Sequence, residues 1–125
     1  MANGTPPKPL IWMSSSKKDL KALPRDVIKL FGYALYMAQA GRRHERTKVL
    51  RGFGDASVLE VIDSTNRSTY RAVYTVRFID AVYVLHVFQK KSKSGVATPK
   101  PDSGLIEERL KQAAALSRIH GRGAT

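Results

Sequence analysis

Residues 70–95 read YRAVYTVRFIDAVYVLHVFQKKSKSG, and this stretch decides the fold. Its two halves, residues 70–78 and 81–89, alternate along the chain and are rich in Val and Tyr. A break at Ile79-Asp80 separates them. Two such runs joined by a short turn predict a β-hairpin. A two-residue turn pairs Phe78 with Ala81, and each further pair steps outward from there.

The predicted pairing sorts the side chains of the hairpin onto two faces, because strand residues alternate in direction. The first is a core face, which carries Ala72, Tyr74, Val76, Tyr83, Leu85 and Val87. The second is more polar and carries Arg71, Val73, Thr75, Arg77, Val84, His86 and Phe88. The grouping depends on the length of the turn, since a slip of one residue exchanges the faces.

The polar face of the predicted hairpin brings cations together with a histidine. Arg71 and His86 share it, and the run Lys90-Lys91-Ser92-Lys93 leaves the strand end near Arg71. Arginine and lysine bind phosphate and stabilise the charge that develops at phosphorus, and a histidine can transfer a proton near neutral pH. The face therefore suits a phosphodiester. The alternative is a solvated basic surface with a histidine that satisfies a local hydrogen bond.

Length and composition indicate one globular domain with a polyanionic partner. The chain has 125 residues, no cysteine and a formal net charge of +12, with excess positive charge in every third of the sequence. Such a body attracts nucleic acid or an acidic protein. Its three histidines show no ligand spacing, so we expect no metal site and no cofactor. We expect no membrane span and no export signal, because no apolar run is long enough.

The N-terminal third predicts a leader followed by two helices. Residues 1–9 are proline-rich and predicted to be disordered. Residues 10–13 form an edge strand or a plug on the core, and residues 16–19 resemble a capping box. A second helix spans residues 24–40 and ends at Gly41. Its predicted buried residues are Val27, Phe31, Ala34, Leu35 and Ala38, and we expect Tyr33, Tyr36 and Met37 to pack in the core or between helices.

The central stretch, residues 41–55, reads GRRHERTKVLRGFGD and is predicted to be a basic loop. The loop either binds phosphates or is simply a solvated loop without a ligand. Its basic residues are Arg42, Arg43, Arg46, Lys48 and Arg51. Residues 57–62 predict a strand, which completes a meander of three antiparallel strands. Glu60 lies on the face opposite Leu59 and Val61 and is either an exposed carboxylate or the only carboxylate of a pocket.

The C-terminal stretch predicts a last helix that Asp102 or Ser103 caps. One face of this helix carries Leu105, Ile106, Arg109, Leu110 and Ala113. We expect a single domain over residues 10–118 and a frayed tail over residues 119–125. The predicted class is α+β: a helical hairpin packed on a small, mainly antiparallel sheet, with a C-terminal helix.

This order of elements resembles the RelE/ParE superfamily of bacterial toxins, and more narrowly its phage-related, HigB-like branch. The similar segments run in the branch's order and together cover roughly residues 10–118. They are Lys48-Val49-Leu50-Arg51-Gly52-Phe53, Leu59-Glu60-Val61, Tyr70-Arg71-Ala72-Val73-Tyr74, Leu85-His86-Val87-Phe88, Lys90-Lys91-Ser92 and Thr98-Pro99.

The resemblance implies a small cytoplasmic bacterial toxin of a type II toxin–antitoxin pair. RelE-like and HigB-like members cut messenger RNA, usually on the ribosome, by attack of the ribose 2′-hydroxyl on the adjacent phosphate and without a metal. The implied partners are messenger RNA, the ribosome and a small antitoxin, often of the helix-turn-helix type. No membrane partner is implied.

The resemblance also implies roles for individual residues. Arg71 matches the family's arginine that binds the scissile phosphate, and Lys91 matches a second arginine of RelE. His86 and Lys90 match the His and Lys of the HigB-like branch. The chain departs from RelE, which has lysines on the strand that carries Glu60 here and a tyrosine after its basic run. We therefore assign the proton transfer to His86 or, as the second choice, to Glu60.

The remaining predicted roles are electrostatic. Arg71, Lys90 and Lys91 are predicted to stabilise the charge on the reacting phosphate. Predicted RNA-binding residues are Lys48, Arg51, Arg77 and Lys93. Two alternatives stay open: a ParE-like inhibitor of DNA gyrase, which is not a nuclease, and a nucleic-acid or protein binding module without activity.

Overall fold

A computed structural model describes residues 6–65, 68–90 and 98–123. Within these ranges the elements are β1 (Leu10–Trp12), α1 (Ser16–Lys21), α2 (Arg25–Gln39), β2 (Thr47–Val49), β3 (Val58–Thr65), β4 (Ser68–Thr75), β5 (Val82–Lys90) and α3 (Lys100–Gly123). The predicted α+β class with a C-terminal helix is confirmed. In the same ranges, none of the helices is both long and apolar enough to cross a membrane.

The described strands form one sheet in the order β1-β5-β4-β3-β2. Neighbours from β2 to β5 are antiparallel, and β1 joins the edge parallel to β5. Of the two interpretations of residues 10–13, the edge strand is therefore confirmed. Strand β2, which lies inside the predicted basic loop, was not predicted from the sequence, because three residues are too few to show an alternating pattern.

The amphipathic pattern of α2 is confirmed on its buried side. All five predicted residues are buried and pack on the sheet face that carries Leu59, Val61 and Ala72. The helix spans Arg25–Gln39 rather than the predicted residues 24–40, and Gly41, just beyond its C-cap Ala40, has a φ of 81° that suits a residue without a side chain. The expectation for the tyrosines is wrong: Tyr33 is 56% exposed and Tyr36 54% exposed. Both lie on the side of α2 that points away from the buried stripe.

The start of α1 differs by one residue from the predicted capping box. The residue before the helix is Ser15, whose Oγ donates a hydrogen bond to Asp19 Oδ2 at 2.8 Å. Ser16 is buried instead, and its hydroxyl donates to the carbonyl of Val84 at 3.3 Å. The predicted capping box is therefore absent: the cap residue Ser15 makes no side-chain hydrogen bond to a backbone N–H of α1, and the Ser16 hydroxyl attaches α1 to β5.

The central hairpin forms, but its connection is longer than predicted. Residues 76–81 separate β4 from β5, so the two-residue turn is wrong. Next to the loop the register is one residue off the prediction, with Thr75 opposite Tyr83. A β-bulge at Leu85 restores the predicted register, so that Val73 lies opposite His86.

The bulge decides which side chains share a face. Tyr83 and Leu85 lie on the face of Arg71, and Val84 lies on the α2 face, all three contrary to prediction. Arg71 and His86 share a face as predicted, because the bulge cancels the slip. That face is not open: α3 covers it, and Val73 packs in the cluster that also contains Ile106, Leu110 and Ala113. Both faces of the sheet are therefore cores.

The ends of the domain are attached to the hairpin loop and to α2. α3 continues to Gly123, and His120 Nδ1 lies 2.9 Å from Asp80 Oδ2. Residues 1–5 of the predicted leader lie outside the described residues, whereas the amide N–H of Lys8 donates to the carbonyl of Gln39 at 2.9 Å. On the predicted face of α3, Leu105 is the exception, since it is 38% exposed.

The two sides of α2 give the first testable prediction. Phe31→Ala removes a fully buried ring from the α2 core, and we expect the free energy of unfolding to fall by about 3–5 kcal/mol. Tyr33→Ala, on the exposed side of the same helix, is the control and should change it by no more than about 0.5 kcal/mol. Urea unfolding measures both. Equal losses for the two variants would contradict the assigned orientation of α2.

Candidate functional site

A cleft of about 760 Å³ opens between the β2–β3 connection and the start of α3. The described residues that line it are Lys48, Val49, Leu50, Arg51, Gly52, Phe53, Glu60, Thr98 and Ser103. Glu60 is the only acidic residue among them. The cleft therefore combines two cations with one carboxylate and two hydroxyl groups.

The strand register and a glycine turn position the cleft residues. Lys48 on β2 lies directly opposite Glu60 on β3, so both side chains share one face of the sheet. After β2 the chain turns through Gly52 and Gly54, whose φ values of 98° and 99° favour glycine. Between them, Phe53 packs against the α3 core. This anchored turn holds exposed Arg51 at the rim of the cleft.

The carboxylate of Glu60 is held by a buried ion pair. Arg71 NH1 donates to Glu60 Oε2 at 2.9 Å, and the two residues are 3% and 0% exposed respectively. The second oxygen, Oε1, is buried and has no hydrogen-bond partner in the part of the chain that the structure describes. Of the two orientations left open for Glu60, the structure has the one in the pocket.

Arg71 differs from its predicted setting. Its guanidinium was expected on an open polar face, but it is buried on β4 and lies behind Glu60 rather than on the wall of the cleft. The expectation of an open face is wrong because α3 and the bulged hairpin cover it. The ion pair offsets the cost of burying this charge.

Lys90 is a second buried cation on the same face of the sheet. It is 6% exposed and lies opposite Thr69, two residues before Arg71 along β4. Burial lowers the pKa of the Lys90 ammonium, and the nearby positive charges of Arg71 and Lys48 lower it further, whereas Glu60 opposes them. We call Lys48, Glu60, Arg71 and Lys90 the charge cluster. It holds three cations against one carboxylate.

His86 is fully engaged in contacts with α3. Its Nε2 lies 2.7 Å from Asp102 Oδ1, and its Nδ1 lies 3.2 Å from NH1 of Arg109. Because a guanidinium can only donate, Nδ1 accepts and Nε2 carries the proton that is donated to Asp102. Arg109 also donates to the carbonyl of Leu85 at the bulge, at 3.0 Å. His86 thus joins α3 to the hairpin.

Sequence reasoning missed Asp102 and Arg109 as partners of His86. Asp102 was interpreted as a helix cap, and Arg109 as one member of an otherwise apolar helix face. A signal was present, because an arginine among apolar residues on a helix needs a buried acceptor on the facing element. The identity of that acceptor depends on the bulge at Leu85, which the alternation of the hairpin does not reveal.

Arg77 is occupied with structural contacts away from the cleft. Its guanidinium donates to the carbonyl of Phe53 at 2.6 Å, to Ser57 Oγ at 2.9 Å and to Asp55 at 3.1 Å. Hydrogen bonds from the hydroxyl and the backbone N–H of Ser57, together with Arg77, lower the pKa of Asp55 to about 2. Arg77 therefore fastens the glycine turn to the end of β4.

The other predicted site residues divide into two groups. Lys48 and Arg51, both predicted to bind RNA, are exposed at the cleft. Lys91 and Lys93 lie outside the described residues. Within the described ranges, no three His, Cys, Asp or Glu side chains come close enough together to hold a metal ion.

Comparison with known proteins adds one finding. The family model for the phage-derived, Gp49-like proteins (DUF891) matches residues 18–111, which is about three quarters of the chain. The matched segment extends from α1 into α3 and includes every element that builds the cleft. No significant match was found among curated proteins or among solved structures.

The buried ion pair gives the second prediction. Arg71→Met and Glu60→Leu each leave an uncompensated buried charge, and each should lower the free energy of unfolding by about 3–5 kcal/mol. The double variant should lose clearly less than the sum of the two, because neither charge remains. Arg118→Met, at an exposed position of α3, is the control and should change the free energy of unfolding by no more than about 0.5 kcal/mol. Additive losses in urea unfolding would show that the pair is not coupled.

Proposed function

Because the chain belongs to the Gp49-like family of phage-derived proteins, a RelE-type, toxin-like family, we propose that it is the toxin of a type II toxin–antitoxin pair and cleaves messenger RNA. The proposed activity is that of a metal-independent, ribosome-associated endoribonuclease of the HigB-like kind. The proposed partner is a small helix-turn-helix antitoxin in the bacterial cytoplasm. An acidic antitoxin segment laid over Lys48 and Arg51 would neutralise the cleft.

The observation that carries the nuclease proposal is the state of Glu60. One carboxylate oxygen is fixed by Arg71, and the other makes no hydrogen bond within the described chain, on the floor of a cleft that has cations at its rim. A general base needs a positioned acceptor with a lone pair still available. Oε1 of Glu60 has this lone pair at the floor of the cleft but is buried, so we assign Glu60 the role of base in the complex in which RNA fills the cleft and reaches that oxygen.

The reaction uses the 2′-hydroxyl of the RNA as the nucleophile. Glu60 Oε1 takes the proton of that hydroxyl, and the 2′ oxygen forms a bond to the adjacent phosphorus. The bond from phosphorus to the 5′ oxygen breaks, the leaving oxygen takes up a proton from water, and Glu60 returns its proton to the hydroxide that remains. The products are a 2′,3′-cyclic phosphate and a 5′-hydroxyl end. The reaction involves no oxidation or reduction, so its equation needs no cofactor or further reactant.

The exposed and the buried cations have different electrostatic roles in this proposal. Lys48 and Arg51 are exposed at the cleft, where they can contact the phosphate oxygens. Arg71 and Lys90 are buried behind Glu60, where the low dielectric strengthens their stabilisation of the extra negative charge on phosphorus. Arg71 is therefore a positioning residue for Glu60 in this proposal.

His86 receives a structural role rather than the proton transfer. Both ring nitrogens are hydrogen bonded, one by Arg109 and one to Asp102, so neither offers a lone pair to the substrate. Asp102 precedes Ser103, which lines the cleft. In this proposal His86 fixes the first turn of α3 and so the wall of the cleft.

Induction in bacteria tests the proposal against its two rivals. We expect growth arrest with loss of full-length messenger RNA and intact chromosomal DNA, which Northern blots and DNA gels measure. Stable messenger RNA with an SOS response would instead support gyrase poisoning. Binding of RNA with a steep salt dependence and no cleavage, even with ribosomes added, would support a module without activity.

Substitutions at the cleft give a sharper prediction. Glu60→Gln should lower the rate of RNA cleavage by about 10²–10⁴-fold, because the amide cannot take the proton. Glu108→Gln, on the exposed side of α3, is the matched control and should cleave normally. Circular dichroism checks that both variants are folded.

A second pair of variants avoids the buried position altogether. Lys48→Gln with Arg51→Gln changes two exposed residues at the cleft and should lower cleavage at least about tenfold, by loss of phosphate contacts. Lys111→Gln with Arg118→Gln removes the same charge from exposed positions of α3 and should not. A folded Glu60→Gln variant that cleaves RNA at the normal rate would remove Glu60 from the mechanism.

A further inference from the structure

The outer side of α2 carries exposed aromatic and basic residues in one line. Arg25, Lys29, Tyr33 and Tyr36 are all exposed, and their spacing of three or four residues places them on one side of the helix. This side points away from the stripe that packs on the sheet. The two tyrosine rings thus stand on a rigid helix one turn apart, with cations on the preceding turns.

The loop after α2 carries two more exposed cations, Arg42 and Arg43, and a histidine whose ring contacts Tyr33. The rings of His44 and Tyr33 meet edge to face, with centroids 5.7 Å apart and an interplanar angle of 88°. The amide N–H of Arg42 donates to the carbonyl of Met37 at 2.8 Å, so the loop folds back on the helix end. Arg42 and Arg43 are both exposed. We call Arg25, Lys29, Tyr33, Tyr36, Arg42 and Arg43 the aromatic–basic surface.

The aromatic–basic surface is separate from the cleft. The buried side of α2 packs on Leu59 and Val61, whereas Glu60, between them in β3, points to the opposite face. The sheet therefore lies between the two surfaces. Nucleotides that fill the cleft are not the ones that contact α2, so the α2 surface requires an explanation of its own.

We propose that the aromatic–basic surface binds single-stranded RNA, with bases stacked on Tyr33 and Tyr36 and phosphates held by the flanking cations. Four cations outweigh the nearby exposed acids Asp26 and Glu45, so the complementary partner is a polyanion. Flat rings between cations match unstacked bases on a phosphate backbone. An acidic protein segment would use the charges but has no need of two planar rings.

The inference deepens the proposed RNA function, yet it concerns binding and not cleavage. The test uses the full chain and a labelled single-stranded RNA of about 16 nucleotides whose 2′-hydroxyls are methylated. Such a probe cannot be cut by 2′-hydroxyl attack. Fluorescence anisotropy gives the dissociation constant, and thermal unfolding checks that each variant is folded.

Two tyrosine pairs separate stacking from apolar contact. Tyr33→Leu with Tyr36→Leu keeps apolar bulk but removes the ring faces, and it should weaken binding at least about tenfold. Tyr33→Phe with Tyr36→Phe keeps the faces and should bind within about twofold of the unchanged chain. Normal binding by a folded Leu pair, or loss of binding by the Phe pair, would overturn the proposal.

A charge pair tests the location of the phosphate contacts. Arg42→Gln with Arg43→Gln should reduce the slope of log K against log salt by about 1.4, as expected for two lost contacts to a single strand. Lys111→Gln with Arg118→Gln removes the same charge from α3, on the other side of the sheet, and should change the slope much less. Equal changes for both pairs would mean diffuse attraction and would overturn the assigned surface.

The two proposals fail in different ways. If the chain cuts no RNA but its binding depends on the rings of Tyr33 and Tyr36, the nuclease fails and the binding surface stands. If the Leu pair binds the probe normally while Glu60→Gln abolishes cleavage, the α2 surface fails and the nuclease stands.

Discussion

The ion pair between Arg71 and Glu60 is the constraint on which the site depends. Two charges lie within a sheet whose faces are both covered, where the loss of hydration costs several kcal/mol per ion. Removing either partner leaves the other charge buried with poorer compensation, so the pair helps to hold β3 and β4 in one register at this point. Within the described part of the chain, the same pair leaves one oxygen of Glu60 without a hydrogen bond beside the cleft. Stability and the proposed chemistry thus rest on the same two side chains.

A second requirement is the bulge at Leu85. Alternation along residues 70–89 was enough to predict two strands and the shared face of Arg71 and His86. It could not supply the six-residue connection or the compensating bulge, because both are set by packing of Tyr83 and Leu85 against α3. The predicted register holds from Val73 outward and fails between the bulge and the loop. The correct pairing of the site residues therefore came from two errors that cancel.

The burial of the charged residues was also hard to predict, because it too depends on how α3 packs on the sheet. Arg71, His86 and Lys90 were interpreted as an open basic face, since a local pattern does not show that α3 returns over it. Conversely, Tyr33 and Tyr36 were expected to pack in the core or between helices, yet α2 meets the sheet along one narrow stripe and both tyrosines are exposed. The order of elements and the buried side of α2 were predictable from spacing alone. Burial of charge and exposure of aromatics needed the tertiary arrangement.

The sheet keeps the two proposed RNA contacts independent. Phosphate contacts at Lys48 and Arg51 lie on the α3 side, and the rings of Tyr33 and Tyr36 lie beyond α2 on the other. One polyanion can engage both only by passing around an edge of the sheet, and the edge between them is β2, which is three residues long. The basic connection over residues 42–51 runs along this edge, with Arg42 and Arg43 before β2 and Arg51 after it. A strand of RNA that follows these cations would meet the aromatic rings and then the carboxylate of Glu60. The basic residues of this connection thus mark a path for the RNA between the two proposed contacts.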